Sequence, residues 1–266
     1  MSSVEKPLVY LVLGAAGSGR REVLADLIDG GLGDGGRAAV LLAAGEPADE
    51  WDGKLGAVAR WQWNDDDNTI DADLPPDATH VFFVTDGRRN PVDQVEAFQP
   101  WLTAQGGELG RVLCVVNCQL AEKNPPLRAW YDACVQFSDV VLLNRRDGVA
   151  NKWLSDFQAY FHDQFLPCLF ELVKQGRVKN PALVLEPQAR RMSHVFDEDK
   201  EWFVIGKDGE KRSVDELDED EEIDEDSEEE VEVIPEEEPY FVRDAANRRA
   251  KKIPDIAKYL PEPGAG

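Results

Sequence analysis

The chain has no run of 18 apolar residues, so the sequence offers no membrane-spanning helix. Its four cysteines, Cys114, Cys118, Cys134 and Cys168, form no C-x-x-C pair and no metal-ligand spacing. That argues against a zinc or disulfide framework and for reduced core thiols in a cytoplasmic protein. The three histidines, His80, His162 and His194, are scattered, and each reads as structural rather than as a ligand. Basic residues are in short supply: 29 Lys and Arg stand against 53 Asp and Glu, a net charge of −24. Non-specific binding of nucleic acid needs a positive field that this chain lacks. The acidity is also concentrated. From Asp215 to Glu238 there are 17 acidic residues and no basic one, and removing those 17 charges leaves −7 for the rest.

What is present is a globular pattern, with seven Trp and eleven Phe to fill a core. Up to about Gln188, short apolar runs alternate with helical stripes. The runs are Leu8–Leu13, Ala38–Ala43, His80–Val84, Val112–Val116, Val140–Leu143 and Ala182–Leu185. Continuous Val- and Leu-rich runs suit parallel strands covered on both faces. Val23, Leu24, Leu27 and Ile28 recur at helical spacing, as do Val92, Val95, Phe98 and Leu102. A third stripe, Trp153, Phe157, Phe161 and Phe165, is interrupted at Pro167. The alternation predicts an α/β fold over residues 1–190, a mostly parallel sheet with helices on both faces. The apolar N-terminal stretch runs straight into glycines, which argues for a buried strand and against a signal peptide.

Beyond it, Glu201–Gly206 and Glu210–Val214, joined by Lys207-Asp208-Gly209, read as a β-hairpin appendage over 191–214. Residues 215–266 read as an acidic then basic tail, largely disordered and dispensable for folding, because Asp215–Glu238 cannot bury enough apolar surface. Tyr240–Leu260 is a candidate docking segment for a protein partner.

The first strand runs into Gly14-Ala-Ala-Gly-Ser-Gly19-Arg20-Arg21 and then a helix. This has the punctuation of the phosphate loop G-x-x-x-x-G-K-[ST], with both final positions replaced. Gly14, Gly17, Ser18 and Gly19 would let backbone N–H groups converge on a phosphate at a helix N-terminus. Arg20 keeps the cation of the usual Lys in a bulkier, planar form. Arg21 has no lone pair with which to ligate Mg²⁺, so the metal is not expected in its usual place. The alternative is a glycine-rich strand-to-helix turn that binds nothing.

Two later segments bear on the choice. Phe83-Val-Thr-Asp86-Gly87 ends a buried strand in the Asp and Gly that, in GTP-binding proteins, face Mg²⁺ and the γ-phosphate. Val140-Val-Leu-Leu-Asn144-Arg145-Arg146-Asp147 ends another strand in N-x-x-D, the spacing of the guanine-reading motif N-K-x-D. There Asp147 would accept from guanine's ring N–H and exocyclic amine, Asn144 would contact the ring edge and neighbouring loops, and Arg145 would lay its stem over the base.

The order of these segments resembles the CobW-type family of P-loop GTPases, metal-centre and cobalamin maturation proteins. The matching elements are Gly14–Arg21 for the phosphate loop, Val84–Pro91 for the E-T-[ST]-G-x-x-[DN]-P segment and Ser138–Asp147 for A-D-x-[IV]-x-[LI]-N-K-x-D. The resemblance covers about residues 7–175 and implies a P-loop NTPase-like fold with a pocket for GTP or GDP. The family's C-x-C-C metal motif is missing; its place falls in Trp51–Asp77, which holds no cysteine. The resulting expectation is a guanine-nucleotide-binding protein with weak or absent hydrolysis. Its rivals are a non-binding pseudo-GTPase acting as an interaction module, and a slow GTPase using Arg in place of the loop Lys.

Overall fold

The computed structural model describes residues 6–197, 202–205, 211–213, 232–235 and 237–262. They fall into two compact units, Met1–Ser193 with Lys252–Gly266, and His194–Lys251.

The first unit is built on β1 (Leu8–Leu13), β2 (Ala38–Ala43), β3 (Ala57–Asn64), β4 (Thr69–Asp71), β5 (His80–Val84), β6 (Glu108–Asn117), β7 (Val140–Asn144) and β8 (Leu169–Leu172). They form one sheet in the order β4-β3-β2-β5-β1-β6-β7-β8, parallel throughout except for the β3–β4 hairpin. Residues of alternate parity bury opposite faces. Tyr10, Val12, Val40, Phe82, Leu113 and Leu142 pack in one cluster with α1 (Arg20–Gly31) and α6 (Pro181–Leu185). On the other face Phe83 meets Phe98 and Trp101 of α2 (Pro91–Gln105), with ring centroids 5.2 and 5.0 Å away. Each such fully buried ring contributes about 2–3 kcal/mol of transfer free energy. The fold class read from the sequence is the one found.

Helix α2 starts where its sequence says it should. Asn90 accepts from Val92 N–H at 3.0 Å, Pro91 takes the first helical position, and Gly106 closes the end at φ 68°. Helices α3 (Cys118–Lys123), α4 (Arg128–Gln136) and α5 (Asn151–His162) complete the layer.

Three expectations change. Ala182–Leu185 is helical, because Asn180 caps Leu183 N–H at 3.3 Å and Pro181 presets the first turn. The helix is fixed to the sheet by Tyr10, whose hydroxyl donates to Leu185 O at 2.7 Å, and by buried Arg111, which donates to Leu183 O at 2.7 Å. The edge strand beside β7 is instead Leu169–Leu172. Phe165 leaves its stripe: α5 ends at His162, and Phe165 sits at φ 58°, 87% exposed.

In the second unit, β9 (Trp202–Ile205) and β10 (Lys211–Ser213) pair antiparallel; the expected hairpin turn Lys207-Asp208-Gly209 lies outside the described residues. A third strand, β11 (Glu232–Pro235), pairs with the other edge of β9. The unfolded acidic run therefore does not hold there; Val233 and Ile234 sit side by side at this end of it, where β-branched residues are denser than in the rest. Residues 214–231 lie outside the described residues. The chain's last described stretch returns to the first unit, where Asp255 caps a 3₁₀ turn at Ile256–Tyr259 and Ile256 is buried.

Among the described residues no helix is long and apolar enough to cross a membrane.

Candidate functional site

Strand β1 lies between β5 and β6; the connection after β1 runs to β2 on one side while that after β5 crosses to β6 on the other, so the two strand ends send their loops in opposite directions. At such a switch point, loops from neighbouring strand ends separate and leave a crevice. Here that crevice is a cleft of about 570 Å³. Its walls are the glycine loop after β1, the loop Gly45–Trp51 after β2, and Asp86 and Arg88 after β5, with Arg145 after β7 and Pro261–Glu262 beside them.

The glycine loop is held from several directions. Gly14, Gly17 and Gly19 take φ of 141°, 77° and 82°. A Cβ on Gly14 would stand 2.5 Å from Val115 O, and one on Gly19 would stand 2.5 Å from Asn144 Nδ2. Both positions therefore demand glycine. Ser18 O accepts from Asn144 Nδ2 at 2.9 Å, Gly17 O from Asn117 Nδ2 at 3.3 Å, and Gly87 O from Ala16 N–H at 3.0 Å. Among the described residues, no acceptor faces the backbone N–H groups of Gly17, Gly19, Arg20 and Arg21. The buried Ser18 hydroxyl has no hydrogen-bond partner either. These are free donors at the N-terminus of a 12-residue helix.

The two arginines are already engaged. Arg20 donates through Nη1 to Thr85 O, and its Nη2 meets Glu46 Oε1 at 2.6 Å. Arg21 meets the other oxygen of the same carboxylate, Glu46 Oε2, at 2.8 Å. It also reaches Asp52 Oδ1 at 3.0 Å and Pro47 O at 2.8 Å. Arg20 and Arg21 are 6% and 8% exposed, so these are largely desolvated contacts. Glu46 and Asp52 escaped the sequence reading, which named no residue between β2 and β3. The available signal was the acidic content of Glu46-Pro-Ala-Asp-Glu50-Trp-Asp52, following a strand that ends at the same edge as the glycine loop.

Asp86 and Gly87 lie on the loop as expected, Gly87 packed against Ala15 and Ala16. The Asp86 carboxylate accepts from Arg88 N–H at 2.9 Å and stands 3.4 Å from Arg89 Nε. Arg89 in turn grips Asp65 at 2.7 Å, and that hydrogen bond holds the Asp65 carboxyl below its ordinary pKa. Arg88 Nη2 donates to Pro261 O, a contact with the chain's far end that nothing in the motifs announces.

The N-x-x-D segment divides. Asn144 is buried and binds the loop. Arg145, at φ 51°, turns its guanidinium over Gly19 and meets Glu22 Oε2 at 3.1 Å. Asp147 is exposed and does not line the cleft; its backbone oxygen accepts from Gln119 Nε2 at 2.6 Å, and among the described residues nothing bonds to its carboxylate. Among the described residues no group of three or more His, Cys, Asp or Glu is placed to hold a metal ion.

No protein-family model and no curated protein matches this chain. Solved structures do resemble it. Zn(II)-bound YjiA GTPase from E. coli is 15% identical over 76% of this chain and 72% of that one, with a TM-score of 0.39. The signal recognition particle receptor FtsY from Elizabethkingia anophelis, in complex with GDP, is 14% identical over 75% of this chain and 66% of that one, TM-score 0.46. FtsY from Thermotoga maritima is 15% identical over 74% and 70%, TM-score 0.42. With TM-scores below 0.5, the fold assignment rests on the sheet order and the glycine loop themselves.

Proposed function

We propose that this chain is a CobW-like P-loop protein whose cleft holds the phosphates of a guanine nucleotide, and that it hydrolyses that nucleotide poorly or not at all. The observation that carries the reading is the set of N–H groups at Gly17, Gly19, Arg20 and Arg21, unpartnered among the described residues, in a loop where Gly14 and Gly19 leave no room for a side chain. Such converging donors at a helix N-terminus are suited to phosphate oxygens and to little else. In this reading Ser18 supplies a further donor, Asp86 and Gly87 border the phosphate end, and Asn144 sets the loop from behind. Asp147, beyond the cleft lining, takes the guanine edge of a base that extends past Arg145.

Mg²⁺ does not fit in its usual manner. The position that would offer a hydroxyl is Arg21, whose guanidinium is a pure donor already spent on Glu46, Asp52 and Pro47 O. No catalytic step is therefore assigned to a metal, and the chain's own residues do no more than bind and orient the anion.

Calorimetric titration with GDP, GTP and ADP, with and without Mg²⁺, tests this. The expected result is a GDP isotherm that changes little with Mg²⁺, and no release of phosphate from GTP above the buffer rate. A flat titration with all three nucleotides would leave the second reading, a non-binding scaffold. That reading draws on one observation of its own, the carboxylate of Glu46 between Arg20 and Arg21.

A further inference from the structure

Glu46 uses both carboxylate oxygens, one on each arginine: Oε1 to Arg20 at 2.6 Å and Oε2 to Arg21 at 2.8 Å. Adjacent helical residues point about 100° apart, so two neighbouring guanidinium groups meet at one point only when something anionic gathers them. A planar guanidinium binds carboxylate and phosphate oxygens by the same paired N–H geometry. The Glu46 carboxylate thus occupies the position on Arg20 and Arg21 that a phosphate group would take, next to unpartnered N–H groups that it does not use.

We propose that Glu46 is a built-in competitor for the anion site, so that a phosphate-bearing ligand binds by displacing its carboxylate from Arg20 and Arg21. The proposal rests on the phosphate-binding reading above and adds how that site is regulated. The backbone around Glu46 stays fixed during the exchange: Glu46 N–H donates to Ala43 O at 3.0 Å, and Glu46 O accepts from Arg60 Nη1 at 2.9 Å. Only the side chain has to rotate. Asp52 remains on Arg21 and keeps that guanidinium oriented when Glu46 leaves. Arg20 and Arg21 are paired with carboxylates in the resting cleft, which sets a threshold: only a ligand with at least the charge and reach to bridge both arginines displaces Glu46. A terminal phosphate or pyrophosphate qualifies, and a singly charged carboxylate gains nothing over Glu46 itself.

The test uses inorganic pyrophosphate, which removes base recognition from the question, on the full chain. Glu46→Gln keeps the size of the side chain and removes its charge. It should tighten pyrophosphate by about tenfold or more, the scale of one charge-assisted contact no longer to be displaced. Asp52→Asn removes the same charge from beside Arg21 but leaves the Glu46 bridge, and should tighten it by no more than about threefold. Equal gains from the two variants would show that net charge alone is at work, and would overturn the proposal. So would an unchanged affinity in Glu46→Gln while the parent binds pyrophosphate, which leaves the phosphate-binding reading intact. No binding by parent or variant overturns both. Should Glu46→Gln fail to fold, Glu46→Asp takes its place: one methylene shorter, it keeps the charge but cannot reach both arginines, and it too should tighten binding.

Discussion

Asn144 donates from Nδ2 to the carbonyl oxygen of Ser18 at 2.9 Å, tying the end of β7 to the glycine loop 126 residues before it. The same nitrogen occupies the space a Gly19 side chain would need. Loop shape and sheet end are therefore one structural unit. Asn144→Ala strips a buried carbonyl of its donor, which costs about 1–3 kcal/mol. Urea unfolding should show that loss, and pyrophosphate affinity should fall with it because the N–H groups no longer converge. Asn144→Ala with unchanged stability would mean that the contact holds nothing in place.

Base choice is a separate question, carried by Asp147. The residue is exposed and, although it does not line the cleft, nothing among the described residues bonds to its carboxylate, which leaves it available to a ligand that extends past Arg145. If it reads guanine, GDP should outbind ADP by about a hundredfold, since a site built to pair a polar edge rejects the wrong edge strongly. Asp147→Asn should shift the preference towards xanthosine diphosphate. Equal affinities for GDP and ADP in the parent protein would remove Asp147 from the site.

The sequence made the centre of the sheet legible because β1, β2, β5, β6 and β7 are continuous apolar runs, each read close to its place in the structure. It made the glycine loop legible because Gly14 and Gly19 answer to sterics that no side chain satisfies. What it hid has a common cause. Glu46, Asp52 and the Arg88–Pro261 contact are side-chain meetings between segments far apart in the chain, and neither periodicity nor local spacing encodes them. Strand β3 was hidden differently: Ala57–Asn64 has mostly exposed residues with Trp61 the one buried anchor, so it lacks the apolar run of a central strand. The misreading of Ala182–Leu185 came from weighing its apolar run above the Asn180-Pro181 start signal.

The C-terminal stretch has a heavier role than its composition suggests. Ile256 is 1% exposed within the unit that holds the cleft, and Arg88 donates to Pro261 O at the cleft wall. Ile256→Ala should cost about 2–4 kcal/mol, the usual range for emptying a buried aliphatic site. Removing Lys252–Gly266 should lower the thermal midpoint of the first unit by several degrees, against the expectation that the whole tail is dispensable. A truncated chain that melts with the parent would restore that expectation.

Cys118, Cys134 and Cys168 supply a pH dependence whose direction follows from burial. All are free and buried. Desolvation pushes the Cys118 and Cys168 thiols up to about 12 and the Cys134 thiol well above its ordinary value. It lifts Tyr10 to about 12 as well, against the opposing pull of Arg111. These groups hold their protons more tightly in the folded chain than in the unfolded one. Their contribution is thus fully present below the unfolded thiol value of 9.0 and is lost as pH climbs from there towards about 12. Each thiol that ionises only in the unfolded chain tilts stability down by about 1.4 kcal/mol per pH unit. The urea midpoint should hold steady between pH about 7 and about 8.5, then fall, and the Cys118→Ala, Cys168→Ala double variant should fall less steeply. Because the thiolate is the reactive form, alkylation of the native protein near neutral pH should be slow for Cys118, Cys134 and Cys168 and fast after denaturation. A thiol that reacts quickly in the folded chain at neutral pH would show that one of these sites is open to water, and the alkaline slope would then need another source.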